Sequence, residues 1–152
     1  MNFEIKAFDS LSLYEFHDLV ALRIQVFVIE QNCPYQDLDG KDKKSLHVIG
    51  RNAKGEILAT ARILPAGISY PEVGIGRVVV DPSERGTGAG HELMSSCMEF
   101  IENQFGKVPV RLSAQSHLEK FYMQHQFIST GKEYLEDGIP HVEMLYLPKN
   151  NL

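Results

Sequence analysis

The segment VVVDPSERGTGAG, residues 78–90, restricts the fold of this chain more than any other part of its sequence. The apolar run 72–82 predicts a buried strand, and the apolar spacing of residues 88–106 predicts a helix. Three glycines occupy five consecutive positions of the connecting loop, namely Gly86, Gly88 and Gly90. Because a fixed glycine loses more conformational entropy than other residues, this density indicates that something approaches the backbone closely. Free N–H groups and the positive end of the helix dipole meet at such a loop, so the sequence predicts an anion site there.

The remaining elements follow the apolar periods of strands and helices. Ser12, with Glu15 three residues later, matches a capping box and marks the start of the first helix. Gly55 in NAKG predicts a hairpin turn between two strands. Strands are further predicted over 3–8, 45–52, 56–65, 108–115, 127–138 and 140–148, and helices over 12–31 and 116–126. We therefore expect an α/β chain with the order β-α-β-β-β-α-β-α-β-β. One domain over 1–152 would form a mixed sheet of six or seven strands with helices on both faces.

The composition excludes some classes of function. The net charge of −5 argues against nucleic acid as the main partner, because phosphate binding needs a concentration of Lys and Arg. No apolar stretch approaches the roughly 18 residues of a membrane span, and residues 1–10 lack the cationic start and apolar run of an export signal. We therefore expect a cytoplasmic protein in which Cys33 and Cys97 are reduced, partly buried thiols.

Metal sites are not indicated by the spacing of the ligand-type residues. The segment DLDGKD, residues 37–42, begins like a calcium loop, but the twelfth position from Asp37 is Val48 instead of the required Glu. We expect a turn in this segment and a solvated loop in GKDKK, residues 40–44. The six histidines include no His-x3-His pair, so no metal is predicted.

The glycine loop can be tested against known phosphate-binding patterns by its register. A P-loop would need a second glycine, followed by Lys, five residues after Gly86, where the chain has His91. The dinucleotide pattern G-x-G-x-x-G fails because its last glycine would fall on His91 or Leu93. Arg85, Gly88 and Gly90 fit the pattern Arg/Gln-x-x-Gly-x-Gly/Ala. Together with the preceding strand and Asp-Pro turn, this pattern resembles the acetyl-CoA loop of the GNAT superfamily of N-acetyltransferases.

Three further segments, 26–42, 113–122 and 136–144, resemble the ElaA-like branch of that superfamily. The resemblance implies the GNAT fold and an acetyl-CoA-dependent N-acetyltransferase that acts on a primary amine. It implies a cofactor site made of Val78, Val79, Val80, Arg85, Gly86, Thr87, Gly88, Ala89, Gly90, His91 and Gln115. The loop N–H groups would hold the pyrophosphate, and the main chain of Val78 and Val80 would pair with the pantetheine arm. Gln126 replaces the glycine that the family has there, which suggests a changed turn.

The implied reaction needs a base, an acid and a group that stabilises the carbonyl oxygen. At pH 7 less than about 0.1% of a lysine-like amine is neutral, so a base must remove its proton. The resemblance implies Tyr122 as the general acid for the leaving thiolate, and the N–H of Val80 for the oxygen. Glu72 is the candidate base, with the alternatives His141, Glu143 and Glu30. Arg77, in the middle of a predicted strand, must find an acidic partner or face the cleft.

Two other functions remain open from the sequence. The same fold would also suit a non-catalytic acyl-CoA-binding module, in which replacement of Tyr122 changes nothing. The loop could instead bind another phosphate ligand such as a nucleotide, although the failed registers count against it. The amine acceptor is not specified, and a homodimer through the last strands is compatible with the family.

Overall fold

A computed structural model describes residues 1–149 of the chain. Its strands are β1 (Asn2–Ala7), β2 (Leu46–Arg51), β3 (Ile57–Leu64), β4 (Val73–Val80), β5 (Val110–Gln115), β6 (Phe127–Glu136) and β7 (Ile139–Tyr146). Its α-helices are α1 (Leu13–Arg23), α2 (Ala89–Phe105) and α3 (Glu119–Met123). The order of strands and helices is the predicted one. The hairpin turn between β2 and β3 also forms as predicted, with Gly55 at a φ of 81°.

All seven strands form one sheet in the order β1-β2-β3-β4-β5-β7-β6. Neighbouring strands are antiparallel except for β4 and β5, which are parallel, so the predicted mixed sheet is confirmed. The β4–β5 pairing is short and comprises only Val73 with Val110 and Gly74 with Arg111. Beyond Gly74 the two strands separate, which opens the sheet between their carboxyl ends.

Helices pack on both faces of the sheet, as the sequence predicts. Ala59, Ala61 and Ile63 of β3 contribute to the main core. From α2, this core includes Leu93, Met94, Cys97 and Ile101. On the other face, α1 and its continuation bury Leu22 and Val26 against Val79 of β4. Because successive side chains of a strand alternate between the faces, both sides of β3 and β4 are covered.

The first helix begins as predicted but changes its geometry halfway. Ser12 Oγ accepts a hydrogen bond from the Glu15 N–H at 3.0 Å, and Glu15 Oε1 accepts one from the Ser12 N–H at 2.9 Å. After Arg23 the chain continues as a π-helical segment over Ile24–Glu30. The prediction of one regular helix over 12–31 is therefore wrong in its second half. Apolar spacing does not distinguish the two helix types over so few turns.

A buried charge cluster lies beneath the loop between the π-helical segment and β2. Its buried members are Arg23, Asp37, Asp42 and Arg62, and the exposed Asp39 joins it through Arg62. Arg23 Nη1 donates to Asp42 Oδ1 at 2.7 Å, and Arg62 Nη2 donates to Asp39 Oδ2 at 2.5 Å. Asp42 is only 3% exposed, so the prediction of a solvated loop over 40–44 is wrong for this residue. A turn of 3-10 helix over Lys41–Lys44 directs Asp42 inward, where two arginines compensate its burial.

Both cysteines lie inside the fold, with Cys97 inaccessible and Cys33 at 8% exposure. Within residues 1–149, no helix combines the length and the apolar character needed to cross a bilayer. In the same part of the chain, His, Cys, Asp and Glu side chains form no group of three that could hold a metal ion.

Candidate active site

The separation of β4 and β5 creates a cleft of about 1110 Å³. One wall is formed by residues 75–80 of β4, and the glycine loop closes one end. The opposite wall comes from β5 and α3, and the turn between β6 and β7 lies at the other end. The π-helical segment also lines the cleft, and its Glu30 reaches Arg85 of the glycine loop. The shape is that of a channel that crosses the sheet where two strands part.

A β-bulge distorts β4 in the middle of this wall. The register with β3 changes between Thr60 and Arg62, so that Arg77 and Val78 together lie opposite Ala61. Arg77 adopts a φ of 49°, a left-handed conformation that is uncommon for a residue with a side chain. Bulges of this kind bend a strand and are frequent beside active sites.

The main chain of Val80 faces the cleft. Asp81 donates its N–H to Leu58 O at 2.8 Å, so these two residues form a hydrogen-bonded pair of the β3–β4 ladder. Such pairs alternate with non-bonded ones in antiparallel sheets, and Val80 opposite Ala59 is therefore a non-bonded pair. Its N–H and C=O point away from β3, toward the space that β5 has left.

The glycines of the loop serve two different purposes. Gly86 and Gly88 adopt φ values of 81° and 86°, and a Cβ added to either would meet no heavy atom within 4 Å. The backbone conformation requires glycine there, and the space beside it is open. A Cβ on Gly90 would lie 3.4 Å from the ring of Phe121, so Gly90 allows the helix to pack closely. No side chain caps α2 at Gly88, which leaves the first N–H groups of the helix facing the cleft.

Arg85 is held by an ion pair with Glu30 at the end of the π-helical segment. Arg85 Nη2 lies 2.6 Å from Glu30 Oε2, and Nη1 bonds the second carboxylate oxygen. The hydrogen bond from Arg85 holds the pKa of Glu30 below its usual range. Glu30 is therefore a weak proton acceptor, and it competes with any anion that approaches Arg85.

Tyr122 of α3 lines the cleft although only 6% of its surface is exposed. Its ring makes edge contacts with Phe121 and Phe127 at centroid distances of 5.1 and 6.2 Å. Burial raises the pKa of its hydroxyl well above the usual range, so the group keeps its proton at neutral pH. Gln115 also lines the cleft and donates its side-chain N–H to Gln31 Oε1 at 3.1 Å.

Three residues named from the sequence do not line the cleft, namely Glu72, Glu143 and Thr87. Glu72 lies beside Arg111, whose Nε and Nη2 donate to its carboxylate at 3.0 and 2.7 Å. These bonds hold the pKa of Glu72 below its usual range. Arg111 also binds Glu143, one of the alternative bases, on the same face of the sheet. Thr87 likewise lies outside the cleft lining, and its hydroxyl donates to Glu84 O at 2.6 Å.

Gln126, where the sequence suggests a changed turn, adopts a φ of 72°. This left-handed conformation is uncommon and strained for a residue with a side chain.

The structure adds residues at the end of the cleft opposite the glycine loop. These are Cys33, Tyr35, Ser113, Glu136, Asp137 and Ile139, and they surround the expected alternative His141. The sequence predicts that Arg77 finds an acidic partner or faces the cleft, and it does both. It lines the cleft, and its Nε lies 3.0 Å from Asp37 Oδ1. That N–H does not point at the oxygen, and Nη2 donates to Asp37 O at 3.1 Å. The guanidinium also covers the ring of Tyr35 at 5.3 Å.

Solved structures share this arrangement over nearly the whole chain. An acyl-CoA N-acyltransferase from Pseudomonas aeruginosa superimposes with a TM-score of 0.89 at 38% identity, covering 96% of this chain and 99% of that one. An aminoglycoside 6'-N-acetyltransferase complexed with coenzyme A has the same fold at 15% identity, with a TM-score of 0.71 and coverage of 97% and 99%. The fold is thus that of the acyl-CoA N-acyltransferases, and the predicted fold class is confirmed.

The sequence comparisons define the family. The model of the acetyltransferase (GNAT) domain family matches residues 16–147. The ElaA protein of Escherichia coli is 43% identical over 136 residues, which are 88% of each chain, and its crystal structure superimposes with a TM-score of 0.88. The chain belongs to the GNAT acetyltransferase family and is an ElaA-like acyltransferase within it, as the resemblance implied.

Proposed function

We propose that this protein is an acetyl-CoA-dependent N-acetyltransferase that transfers the acetyl group to a primary amine by direct attack. One observation carries the proposal: the sheet opens between β4 and β5 directly beside an uncapped, glycine-lined helix N-terminus. An anion site and an unpaired strand edge thus lie in one cleft, which suits a ligand that joins a pyrophosphate to a slender amide-containing arm.

The cofactor would be held mainly by main-chain groups. The N–H groups of residues 86–91 would bind the pyrophosphate, with Arg85 released from Glu30 as an additional donor. Val78, Val79 and Val80 would offer their strand to the pantetheine arm, and the amide of Gln115 would contact the same arm from the other wall. Coenzyme A bound to the aminoglycoside acetyltransferase of the same fold supports this assignment.

The chemistry would use the hydroxyl of Tyr122 and the N–H of Val80. The neutral amine attacks the thioester carbon, and the Val80 N–H stabilises the negative charge that develops on the oxygen. When the C–S bond breaks, Tyr122 donates its proton to the thiolate and recovers one from the former amine. Burial raises the pKa of Tyr122, so its hydroxyl is protonated in the resting protein and available as a hydrogen-bond donor to the leaving sulfur. Glu72 is not assigned as the base, because Arg111 holds it outside the cleft.

Binding is tested by calorimetric titration with acetyl-CoA, ATP, NADH and 3',5'-ADP. We expect selective micromolar affinity, roughly −8 kcal/mol, for acetyl-CoA, since only this ligand uses the strand edge as well as the loop. Gly88→Val should abolish binding by filling the space beside the loop. Gly67→Val is the matched control, because Gly67 also has a positive φ (89°) and open space but lies outside the cleft. Equal binding of all four ligands contradicts the proposal.

Catalysis is tested by thiol release from acetyl-CoA in the presence of a panel of primary amines. Tyr122→Phe should lower kcat by about 10²- to 10⁴-fold and leave the Kd of acetyl-CoA nearly unchanged, because only the proton donor is removed. Binding of acetyl-CoA without turnover of any amine would favour the non-catalytic acyl-CoA-binding module instead.

A further inference from the structure

His141 combines a fixed orientation with access to the cleft. It is the first inward residue of β7 after the β6–β7 turn, and it is 7% exposed while lining the cleft. Its Nδ1 lies 2.7 Å from Ile139 O, an acceptor without hydrogen, so Nδ1 must carry a proton. The other nitrogen, Nε2, is thereby the one that gains and loses a proton. It lies 3.2 Å from Glu136 Oε2.

Side chains of three strands and one turn surround this imidazole. Tyr134 of β6 stacks on the ring at 6.1 Å with an interplanar angle of 15°, and Gln115 of β5 lies opposite in register. Besides Tyr134, the ionisable neighbours in the described structure are Glu136 of β6, Asp137 in the turn, Cys33 of the preceding loop, and the Arg111–Glu143 pair two residues along the strand. Glu136 is the acidic group in direct contact with the ring.

The other candidate bases are each bound to a guanidinium. Glu30 pairs with Arg85, whereas Glu72 and Glu143 share Arg111. A carboxylate in such a pair holds its negative charge against protonation and is a poor proton acceptor. Of the four candidates, Glu30 and His141 line the cleft. Glu30 faces an arginine, whereas Nε2 of His141 faces a carboxylate.

We propose that His141 is the general base of the transfer reaction, and that Glu136 binds the substrate ammonium and delivers it to Nε2. This inference rests on the proposed N-acetyltransferase function. The Glu136 side chain is 53% exposed, so it can turn from Nε2 and accept a hydrogen bond from the incoming ammonium. The ammonium then lies between a carboxylate and an imidazole, so that Glu136 holds it by charge while Nε2 accepts its proton.

The protons of the reaction balance with these groups. Nε2 takes one proton from the ammonium, and the neutral amine nitrogen forms its bond to the thioester carbon. The C–S bond breaks, the thiolate receives the proton of Tyr122, and Tyr122 regains a proton from the nitrogen that becomes the amide. His141 passes its proton to solvent through the exposed carboxylate of Glu136, so one proton is released for each acetyl group transferred.

The test is a comparison of pH profiles for thiol release with acetyl-CoA and the best amine among butylamine, putrescine, lysine amide and a tetrapeptide with a free N-terminus. We expect His141→Ala to lower kcat/KM at pH 7 by about 10²- to 10⁴-fold. The loss should shrink as the pH approaches about 10, because a free amine needs no base. Added imidazole should restore part of the activity of the variant, and acetyl-CoA affinity by calorimetry should stay unchanged.

Two further variants keep the proposal testable if His141→Ala folds poorly. Glu136→Gln changes an exposed side chain, and we expect it to raise KM for the amine more than it lowers kcat, because the carboxylate that holds the ammonium is lost. His17→Ala is the matched control, since His17 is 81% exposed on α1 and outside the cleft. Equal losses at pH 7 and pH 10 in His141→Ala, or an unchanged KM for the amine in Glu136→Gln, overturn the proposal. Absence of turnover by the unmodified protein overturns the proposed function as well.

Discussion

The substitution Arg23→Met tests how the buried charge cluster stabilises the fold. Arg23 is 1% exposed and donates four hydrogen bonds, two to Asp37 and two to Asp42. Methionine fills much of the volume but leaves both carboxylates with fewer partners. The Asp42 carboxylate would retain Arg62 Nη1 at 3.3 Å, and the Asp37 carboxylate would retain the hydroxyl of Tyr35 at 2.8 Å and the ion pair with Arg77 at 3.0 Å. Removal of one partner from a buried ion pair typically destabilises a protein by about 3–5 kcal/mol.

This loss is a large share of the total free energy of unfolding, which is about 5–15 kcal/mol for a domain. For a chain of this size each kcal/mol corresponds to about 2–4 °C, so we expect Tm to fall by about 6–20 °C. Urea denaturation at pH 7 measures the free energy directly. Arg51→Met is the control: Arg51 is 23% exposed and pairs with Glu4 and Glu15 at 2.7 Å, so its loss should cost less than about 1 kcal/mol.

The pH dependence of the difference in unfolding free energy between Arg23→Met and the unmodified protein distinguishes the loss of charge pairing from the loss of packing. Burial alone would raise the pKa of Asp42, but hydrogen bonds and charges of Arg23 and Arg62 hold it below its usual value. A lowered pKa in the folded state contributes stability above the unfolded pKa of about 3.9, and this contribution is lost as the pH falls through the folded pKa. Lowering the pH should therefore reduce the difference in unfolding free energy between Arg23→Met and the unmodified protein. A destabilisation below about 1 kcal/mol at pH 7, or a difference in unfolding free energy that does not change with pH, would refute the reasoning.

Three further predictions concern separate parts of the molecule. Ser12→Ala should destabilise the protein by about 0.5–2 kcal/mol in urea, because the capping box is lost, and an unchanged midpoint would contradict this. Glu30→Gln should tighten acetyl-CoA binding by a few-fold in calorimetry, since it releases Arg85 and removes a repelling charge, whereas weaker binding would argue against Arg85 as a phosphate ligand. Cys97 should resist iodoacetamide at pH 8 until the protein unfolds, because burial raises the pKa of its thiol to about 12; rapid labelling of the folded protein would contradict the buried environment.

The elements of the fold could be predicted because their signals are local. The helix expected over 88–106 is found over Ala89–Phe105, and the strand expected over 72–82 is found over Val73–Val80. The capping box and the glycine loop are likewise recognised from residues a few positions apart. The spacing of Arg85, Gly88 and Gly90 indicates the family without information on any tertiary contact.

The site depends on contacts between distant segments, which the sequence pattern does not contain. Nothing in the apolar strand that Glu72 opens indicates its partner, Arg111, which lies 39 residues further along the chain. The run that contains Arg77 reads as a straight strand, because the bulge arises from its register with β3. Asp42 lies among lysines and reads as solvated, although its arginine partners come from a helix and a strand. Turns and bulges of this kind follow from tertiary pairing and not from composition.

The parting of β4 and β5 places an unpaired strand edge inside the molecule instead of at its rim. Exposed outer edges can pair with strands of other polypeptides. This edge of β4 lies inside the cleft, so the width of the cleft determines which ligands reach it. The side chains of Val78 and Val80 pack against the core, while the main chain of Val80 faces the cleft. If the proposed ligand binds this edge through main-chain groups, binding and folding stability depend on different atoms of the same residues, and substitution of their side chains should change stability more than affinity.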